Sequence, residues 1–398
     1  MPPLLITPSA NNQLILNLQT DTFGAYGGIP TYNKLVCRVL DELGLGCGNC
    51  VLIAMDNQES VAQEAPRHPN LELTGFSRNR VRFVIAALWF VLRNRTSLTL
   101  AGHLNYAPLC LLLKTLRPKM RVGVFIYGTE VWGRVPLMRR WALRRADFVI
   151  SISDYTRKQA VVFNALDEKR VEVLPNAIEW RATETAKTTA PDLGRGTKLL
   201  SVGRLDDREQ QKGFDTVIRS LPSIVEKVGD VQYIIIGSGS DLERHKELAQ
   251  ELNVSDRVHF LGTVDEPTLR HWYESCDVFA MPSAQEGFGF VYLEAMQYGK
   301  PVVAAKSGGT PEVVIDGATG RLVEYGDHDE LSRVLIDLCQ NPAEREKLGA
   351  AGYQRLQEKF TYASFNRKLT EILLRELPSG SLSARDESYR LPESNPSN

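Results

Sequence analysis

A chain of 398 residues exceeds the roughly 250–300 residues at which one hydrophobic core stops growing, so two domains are expected. With 43% apolar and 24% charged residues and a formal net charge of −1, the composition is that of a globular protein and excludes an overall polycation. The charges are unevenly spread: residues 71–150 carry fourteen Lys or Arg against Glu72, Glu130 and Asp147. The basic residues between 78 and 145 are expected to form a face drawn to anionic lipid headgroups, each adding about 1 kcal/mol near the surface. Nucleic acid is not expected, because these arginines are interleaved with aliphatic runs and no recognition motif accompanies them.

The longest apolar candidate, Val81 to Leu92, contains Arg82 and is too short to span a bilayer. No secretory leader is visible. The expectation is a cytoplasmic protein, at most peripheral on that face of a membrane. Six cysteines in so long a chain do not make a disulfide framework, and Cys47-Gly-Asn-Cys50 has no second pair beside it.

In chain order, "LILNL" (14–18) reads as a strand, "IPTYNKLVCRVLDELG" as a helix and "CVLIAM" (50–55) as a strand. "RVRFVIAALWFVLRN" follows as a helix, "SLTLAGH" as a strand, "APLCLLLKTLR" as a helix and "RVGVFIYG" as a strand. "PLMRRWALRRA" is helical, and "FVISIS" and "RVEVLPN" are strands. After the polar stretch 179–197, "KLLSVGR", "VQYIIIGSG", "VHFLG", "DVFAMPS", "PVVAA" and "GRLV" read as strands separated by helical segments. Strands alternating with helices of ten to fifteen residues indicate parallel sheets covered on both faces. A final helix is expected over 362–377, and the Ser-, Pro- and Asn-rich tail 378–398 is expected to be disordered.

Four loops fall at strand ends, where open parallel sheets bind their ligands. Gly27-Gly28-Ile29-Pro30-Thr31 stands between the first strand and a helix, where glycine lets backbone approach a phosphate. In "SVGRLDDREQQKGFD", Arg204 follows a strand and Lys212 opens a helix, a fork and a point charge suited to a diphosphate. No acidic pair at a strand end makes a better metal holder, so no metal is expected.

The stretch "SAQEGFGFVYLEAMQYGKPVVA" sets Glu286 before Gly287-Phe288-Gly289 and Glu294 in an otherwise apolar run. An acid there is out of place unless it meets a polar partner. The two acids need not touch and can serve two parts of one extended ligand. Gly308-Gly309-Thr310, beyond "PVVAA", extends the same amide-lined floor.

Together "VGRL…KGFD", "PSAQEGFGFVYLEAMQYGKPVVA" and "GGTPEVVIDGATGRLV" closely resemble the family 4 retaining glycosyltransferases, strongly over 198–325 and more loosely over 10–178. The resemblance implies the GT-B fold, two facing Rossmann-like α/β domains with a cleft between them. Residues 1–178 would bind the acceptor, 179–196 would link, and 197–360 would bind a nucleoside-diphosphate sugar. Residues 361–377 would pack back on the first domain. Carried over, Glu286 would contact the transferred sugar and Glu294 the ribose. Arg204 and Lys212 would hold the diphosphate, with Gly28 near it from the other domain. The amides of Gly287, Phe288 and Gly289 would line the sugar pocket, and Val264 would lie beside the base.

The sequence departs from the family in one place. Where many members carry His-Gly, this chain has Tyr127-Gly128, so Tyr127 substitutes as a positioning group or Glu130 or His103 stands near the acceptor. A phenol donates a hydrogen bond but is a poor base at neutral pH.

The implied activity is metal-independent, retaining transfer of a sugar to a lipid-linked glycan of polysaccharide assembly, with no cofactor beyond the donor. Alternatives are a soluble acceptor such as a sugar phosphate, a nucleotide-sugar 2-epimerase of the same fold, and a non-catalytic sugar-nucleotide binder.

Overall fold

The computed structural model describes residues 14–43, 49–179, 191, 193, 194 and 196–377. Cys47, most of the expected linker 179–196 and the tail 378–398 lie outside the described residues.

The first sheet is built from Leu14–Gln19 (β1), Asn49–Ile53 (β2), Leu71–Gly75 (β3), Thr96–Ala101 (β4), Arg121–Ile126 (β5), Phe148–Ser151 (β6) and Val171–Val173 (β7). Its order is β3-β2-β1-β4-β5-β6-β7, all parallel. The second comprises Thr197–Val202 (β8), Val231–Ile236 (β9), Val258–Gly262 (β10), Val278–Met281 (β11), Val302–Ala305 (β12) and Gly320–Val323 (β13). It is ordered β10-β9-β8-β11-β12-β13, again parallel. Helices cover both faces, so strands such as β1, β2 and β12 are buried throughout and read as continuous apolar runs.

Each sheet has one point where strand order reverses, between β1 and β4 and between β8 and β11. Ligand crevices form beyond the carboxyl ends of the strands at such points. The Gly27–Gly28 loop follows β1 and His103 follows β4; Arg204 follows β8 and the Glu286 loop follows β11.

Two helices and a strand escape the sequence reading for physical reasons. The helix Gln58–Glu64 buries only Val61, and the edge strand β3 buries only its two end residues, so neither shows a clear apolar period. The helix Asp154–Asn164 buries Thr156, Ala160 and Asn164, a small and polar face, while Val162 and Phe163 are exposed.

The chain crosses between the domains twice at one place. The Ile178 amide donates to the Phe360 carbonyl at 3.0 Å and the Tyr362 amide to the Ile178 carbonyl at 3.2 Å. The helix Tyr362–Glu376 then packs on the helix Gly28–Glu42 of the first domain, with Phe365 edge-on to Tyr32 and Arg38 over the Tyr362 ring at 3.9 Å. A single apolar cluster runs from Tyr32, Tyr127 and Ile152 of the first domain into Phe288, Phe290 and Phe360.

Candidate active site

The two sheets bring their switch points together. The loop that opens the helix Phe214–Val228 turns at Gly213, whose φ is +84° and whose position admits no side chain. A Cβ there would stand 2.3 Å from the Pro282 carbonyl oxygen. Ala284 donates its amide to the Gln211 carbonyl at 2.8 Å, which seals the Lys212 loop to the loop after β11. In consequence Lys212 Nζ meets Glu286 Oε2 at 3.0 Å, the two side chains only 22% and 15% exposed. Arg204 sits on the neighbouring loop with its side chain exposed. Two residues expected to serve one donor are thus in contact, and the third, Arg204, follows the strand β8 that lies next to β11.

Glu286 lies in a loop, because the helix begins only at Phe290 with Gly289 (φ +96°) before it. Glu294 is on that helix, and its expected polar partner is Tyr273, which donates its hydroxyl to Glu294 Oε2 at 2.7 Å. The buried Tyr273 ring is fixed between Phe279 and Tyr298, at centroid distances of 5.7 and 5.9 Å. One Glu294 oxygen is thereby held in place. Phe288 turns its ring into the core against Phe360, which leaves its backbone to serve the loop. Val264 is half-buried after β10, packed at the core's edge.

The first domain closes directly over this loop. A Cβ on Gly287 would stand 2.2 Å from the Tyr127 carbonyl oxygen and 3.1 Å from Ile152 Cδ1. Gly28 faces the Phe290 ring at 3.5 Å by the same construction. Gly308 lies against Trp132 and the Glu286 carbonyl, and the Gly309 amide donates to that carbonyl at 2.8 Å. Gly287, Gly308 and Gly309 are therefore positions of close approach between backbones, whereas Gly28 meets only the Phe290 side chain at an ordinary contact distance.

Tyr127 contributes its carbonyl here, whereas its phenol points inward. The hydroxyl donates to the Gly102 carbonyl at 2.9 Å, beside Asn33 Oδ1 at 3.3 Å, and the ring packs edge-on to Tyr32. Burial pushes its ionisation well above the usual phenol range. Of the expected alternatives, Tyr127 as a positioning group is not served by its phenol: packing claimed the ring, and the backbone carbonyl reaches the other domain.

Of the two alternatives, Glu130 folds its carboxylate back onto the Tyr127 amide, and burial raises its ionisation. His103 stacks on Tyr127 at 6.2 Å, and its Nδ1 accepts the Asn105 amide at 3.1 Å. The ring proton is thereby left on Nε2, which can donate a hydrogen bond.

Burial, aided by Arg139, pushes the His103 pKa down to about 4. The unfolded chain binds a proton on this ring between pH 6.5 and 4 that the folded chain does not, so stability falls as pH drops through that window. The loss amounts to about 3 kcal/mol at ~1.4 kcal/mol per unit. His103→Gln should flatten the stability profile below pH 6.5, as read from denaturant midpoints, and NMR should find the ring neutral at pH 6.

The residues that composition and motif missed are Trp132, Ser153, Asp154 and Tyr155 of the first domain, facing the Glu286 loop, and Glu312 of the second domain. Glu312 of "GGTPE" accepts the amides of Asp154 (2.8 Å) and Tyr155 (2.7 Å) across the domain boundary. A Ser followed by Asp at 153–154 was the available helix-start signal.

Comparison with known proteins agrees with this architecture. Residues 188–355 match the family model described as glycosyl transferases group 1. The chain is 33% identical over 291 residues to a GDP-mannose-dependent alpha-(1-6)-phosphatidylinositol monomannoside mannosyltransferase of Mycolicibacterium smegmatis, covering 67% of this chain and 74% of that one. It is 32% identical over 290 residues to the monoacylated-substrate counterpart of Corynebacterium glutamicum, covering 68% and 74%.

Among solved structures it resembles sucrose-phosphate synthase from Thermosynechococcus elongatus (TM-score 0.75, 22% identity, 91% and 99% covered). It also resembles Anabaena HepE in complex with UDP (TM-score 0.72, 19% identity, 91% and 100% covered). These likenesses show the GT-B fold. With a third of the 291 aligned residues identical across about three-quarters of such a relative, and with the matching family model over residues 188–355, this chain belongs to the group 1 glycosyltransferases.

Proposed function

We propose that the protein transfers a hexose, with retention and without a divalent metal, from a nucleoside-diphosphate sugar to a hydroxyl of a membrane glycolipid. The observation that carries the reading is the Lys212–Glu286 pair at the second switch point, in a loop whose next residue, Gly287, packs on the Tyr127 carbonyl of the other domain. In this reading Arg204 and Lys212 hold the diphosphate, where negative charge grows as the anomeric C–O bond breaks. Glu286 takes the sugar hydroxyls, Glu294 the ribose, and the amides of Gly287, Phe288 and Gly289 the remaining sugar oxygens. Val264 flanks the base.

The acceptor oxygen attacks the anomeric carbon on the face the phosphate leaves, and the departing phosphate oxygen takes the acceptor proton. The products are a glycoside and a nucleoside diphosphate. No carboxylate nucleophile is then needed, so trapping a glycosyl adduct on Glu286 would overturn retention by this route.

The relatives named above direct the choice of donor and acceptor toward GDP-mannose and a phosphatidylinositol-based glycolipid. The helices Arg80–Arg93, Ala107–Leu116 and Leu137–Arg145 are consecutive neighbours and contain no acid. They expose Val81, Leu92, Leu112, Leu137, Met138 and Trp141 among Arg80, Arg82, Arg93, Arg139, Arg144 and Arg145. Lys114 and Arg121 do not add to this face, because they pair with Asp147 and Glu376. An apolar patch rimmed by arginine suits an anionic bilayer. Among the described residues no helix is long and apolar enough to cross a membrane.

Thermal shift with GDP and UDP sugars tests the donor, since a ligand at 100 times its Kd stabilises the native state by about 2.7 kcal/mol. Turnover of GDP-mannose with phosphatidylinositol mannoside in vesicles, and co-sedimentation lost at high salt, are the expected results. Turnover of inositol phosphate instead would favour the soluble-acceptor alternative. That reading draws on a shorter match, 34% over 183 residues, to a D-inositol 3-phosphate glycosyltransferase of Corynebacterium diphtheriae.

A further inference from the structure

Glu312 ends a chain of contacts that links the two domains to the donor loop. It lies in the short helix Thr310–Val313, whose position is anchored within its own domain by Arg355, which donates to the Glu312 and Val313 carbonyls at 2.6 and 2.9 Å. Its carboxylate reaches across to the start of the helix Asp154–Asn164. There Asp154 and Tyr155 donate one amide to each oxygen, and Thr156 donates to the Ser153 hydroxyl at 3.1 Å. The first-turn amides of a helix lack intrahelical partners and favour negative charge. A carboxylate from the opposite domain therefore completes this helix.

The same segment touches the donor loop. Gly309 packs on the Gly287 carbonyl and the Ser153 side chain, Gly308 on the Glu286 carbonyl and Trp132. Trp132 in turn donates to the Thr156 hydroxyl at 3.1 Å and stands edge-on to Tyr155 at 5.1 Å.

We propose that Glu312 is a positioning residue that latches the acceptor domain onto the segment 308–312 and so holds the Glu286–Gly289 loop in its transfer geometry. It touches no substrate. Its effect on the reaction is through domain closure, and the assignment rests on the donor site being the one described above.

Small-angle scattering on the full chain, and the Trp132 emission obtained by difference against a Trp132→Phe background because the chain holds five tryptophans, test the latch independently of any activity. Glu312→Ala should enlarge the radius of gyration by more than 1 Å and shift the Trp132 emission, while Glu312→Gln, which can still accept one amide, should fall between. The melting temperature of the isolated transition should confirm a folded variant.

Asp154→Pro removes one of the donated amides at a first-turn position that tolerates proline, and it should open the molecule in the same direction. With GDP-mannose as probe, kcat should fall at least tenfold in Glu312→Ala while GDP affinity changes less than threefold. Scattering and emission superimposable on those of the unaltered protein would overturn the proposal. Failure of GDP-mannose turnover in the unaltered protein, with the opening still seen, would instead overturn only the choice of donor.

Discussion

Replacing Glu286 by Gln should lower kcat by about 10²- to 10³-fold while nucleotide affinity stays within a few-fold. The carboxylate is held at 3.0 Å from Lys212 and is largely shielded from water. An oriented charge in such a site acts where the transition state develops charge, and removing one typically costs a few kcal/mol of barrier.

Glutamine keeps the shape but gives up the charge that balances Lys212 and accepts the sugar hydroxyls. Glu294→Ala should show the opposite split, with nucleotide affinity reduced tenfold or more and kcat at saturation little changed. Its oxygen is fixed by Tyr273 at 2.7 Å, on the far side of the helix start. Pre-steady-state turnover with isothermal titration of the nucleotide separates the two. Equal losses in both quantities from both variants would refute the division of labour between them.

The second large effect is expected from one methyl group. Gly287→Ala places a Cβ 2.2 Å from the Tyr127 carbonyl oxygen, and the neighbour is backbone that no side-chain rotation can move aside. The contact lies between domains, so it can be relieved by parting them, at the expense of the closed cleft. The expected outcome is a loss of at least 10²-fold in kcat, with the nucleotide still bound by the second domain and a modest change in melting temperature.

Gly133→Ala is the control. A Cβ there meets nothing within 4 Å, and activity should be unchanged. A Gly287→Ala protein with full activity would show that the cleft works in a more open form than the one described.

Why these two positions dominate explains how much could be read in advance. The alternation of buried strands and amphipathic helices was legible because both sheets are covered on two faces, which makes β1, β5, β9 and β12 near-continuous apolar runs. Arg204, Lys212 and Glu286 stood out as charged residues beside glycine at strand ends and Glu294 as an acid within an apolar run, and such departures from the local pattern gather at functional sites.

The short helix at Gln58–Glu64, the edge strand β3 and the helix Asp154–Asn164 were not, since each buries too few apolar residues to leave a period. Glu294 was marked as anomalous in sequence, but its partner Tyr273 lies in another helix and could be found only by folding.

Tyr127 shows the boundary most sharply. Its place at the end of β5 follows from the pattern, and its departure from the family's histidine is visible by inspection. Which of its groups faces the cleft is a matter of packing: the ring has Tyr32, His103 and the Gly102 carbonyl to satisfy it inside, so only its carbonyl meets Gly287.

Glu312 makes the same point from the other side. Local sequence shows an acid after Gly-Gly-Thr-Pro, ordinary for the first turn of a short helix. Its two amide donors lie more than 150 residues away in the chain. The chain by itself determined the two parallel-sheet domains and marked the charged residues at strand ends and in the apolar helix, because burial leaves a periodic trace along a strand or helix and a charge interrupts it. Only the tertiary structure decided how the domains meet, because the contacts that close them join groups whose local surroundings carry no sign of the partner.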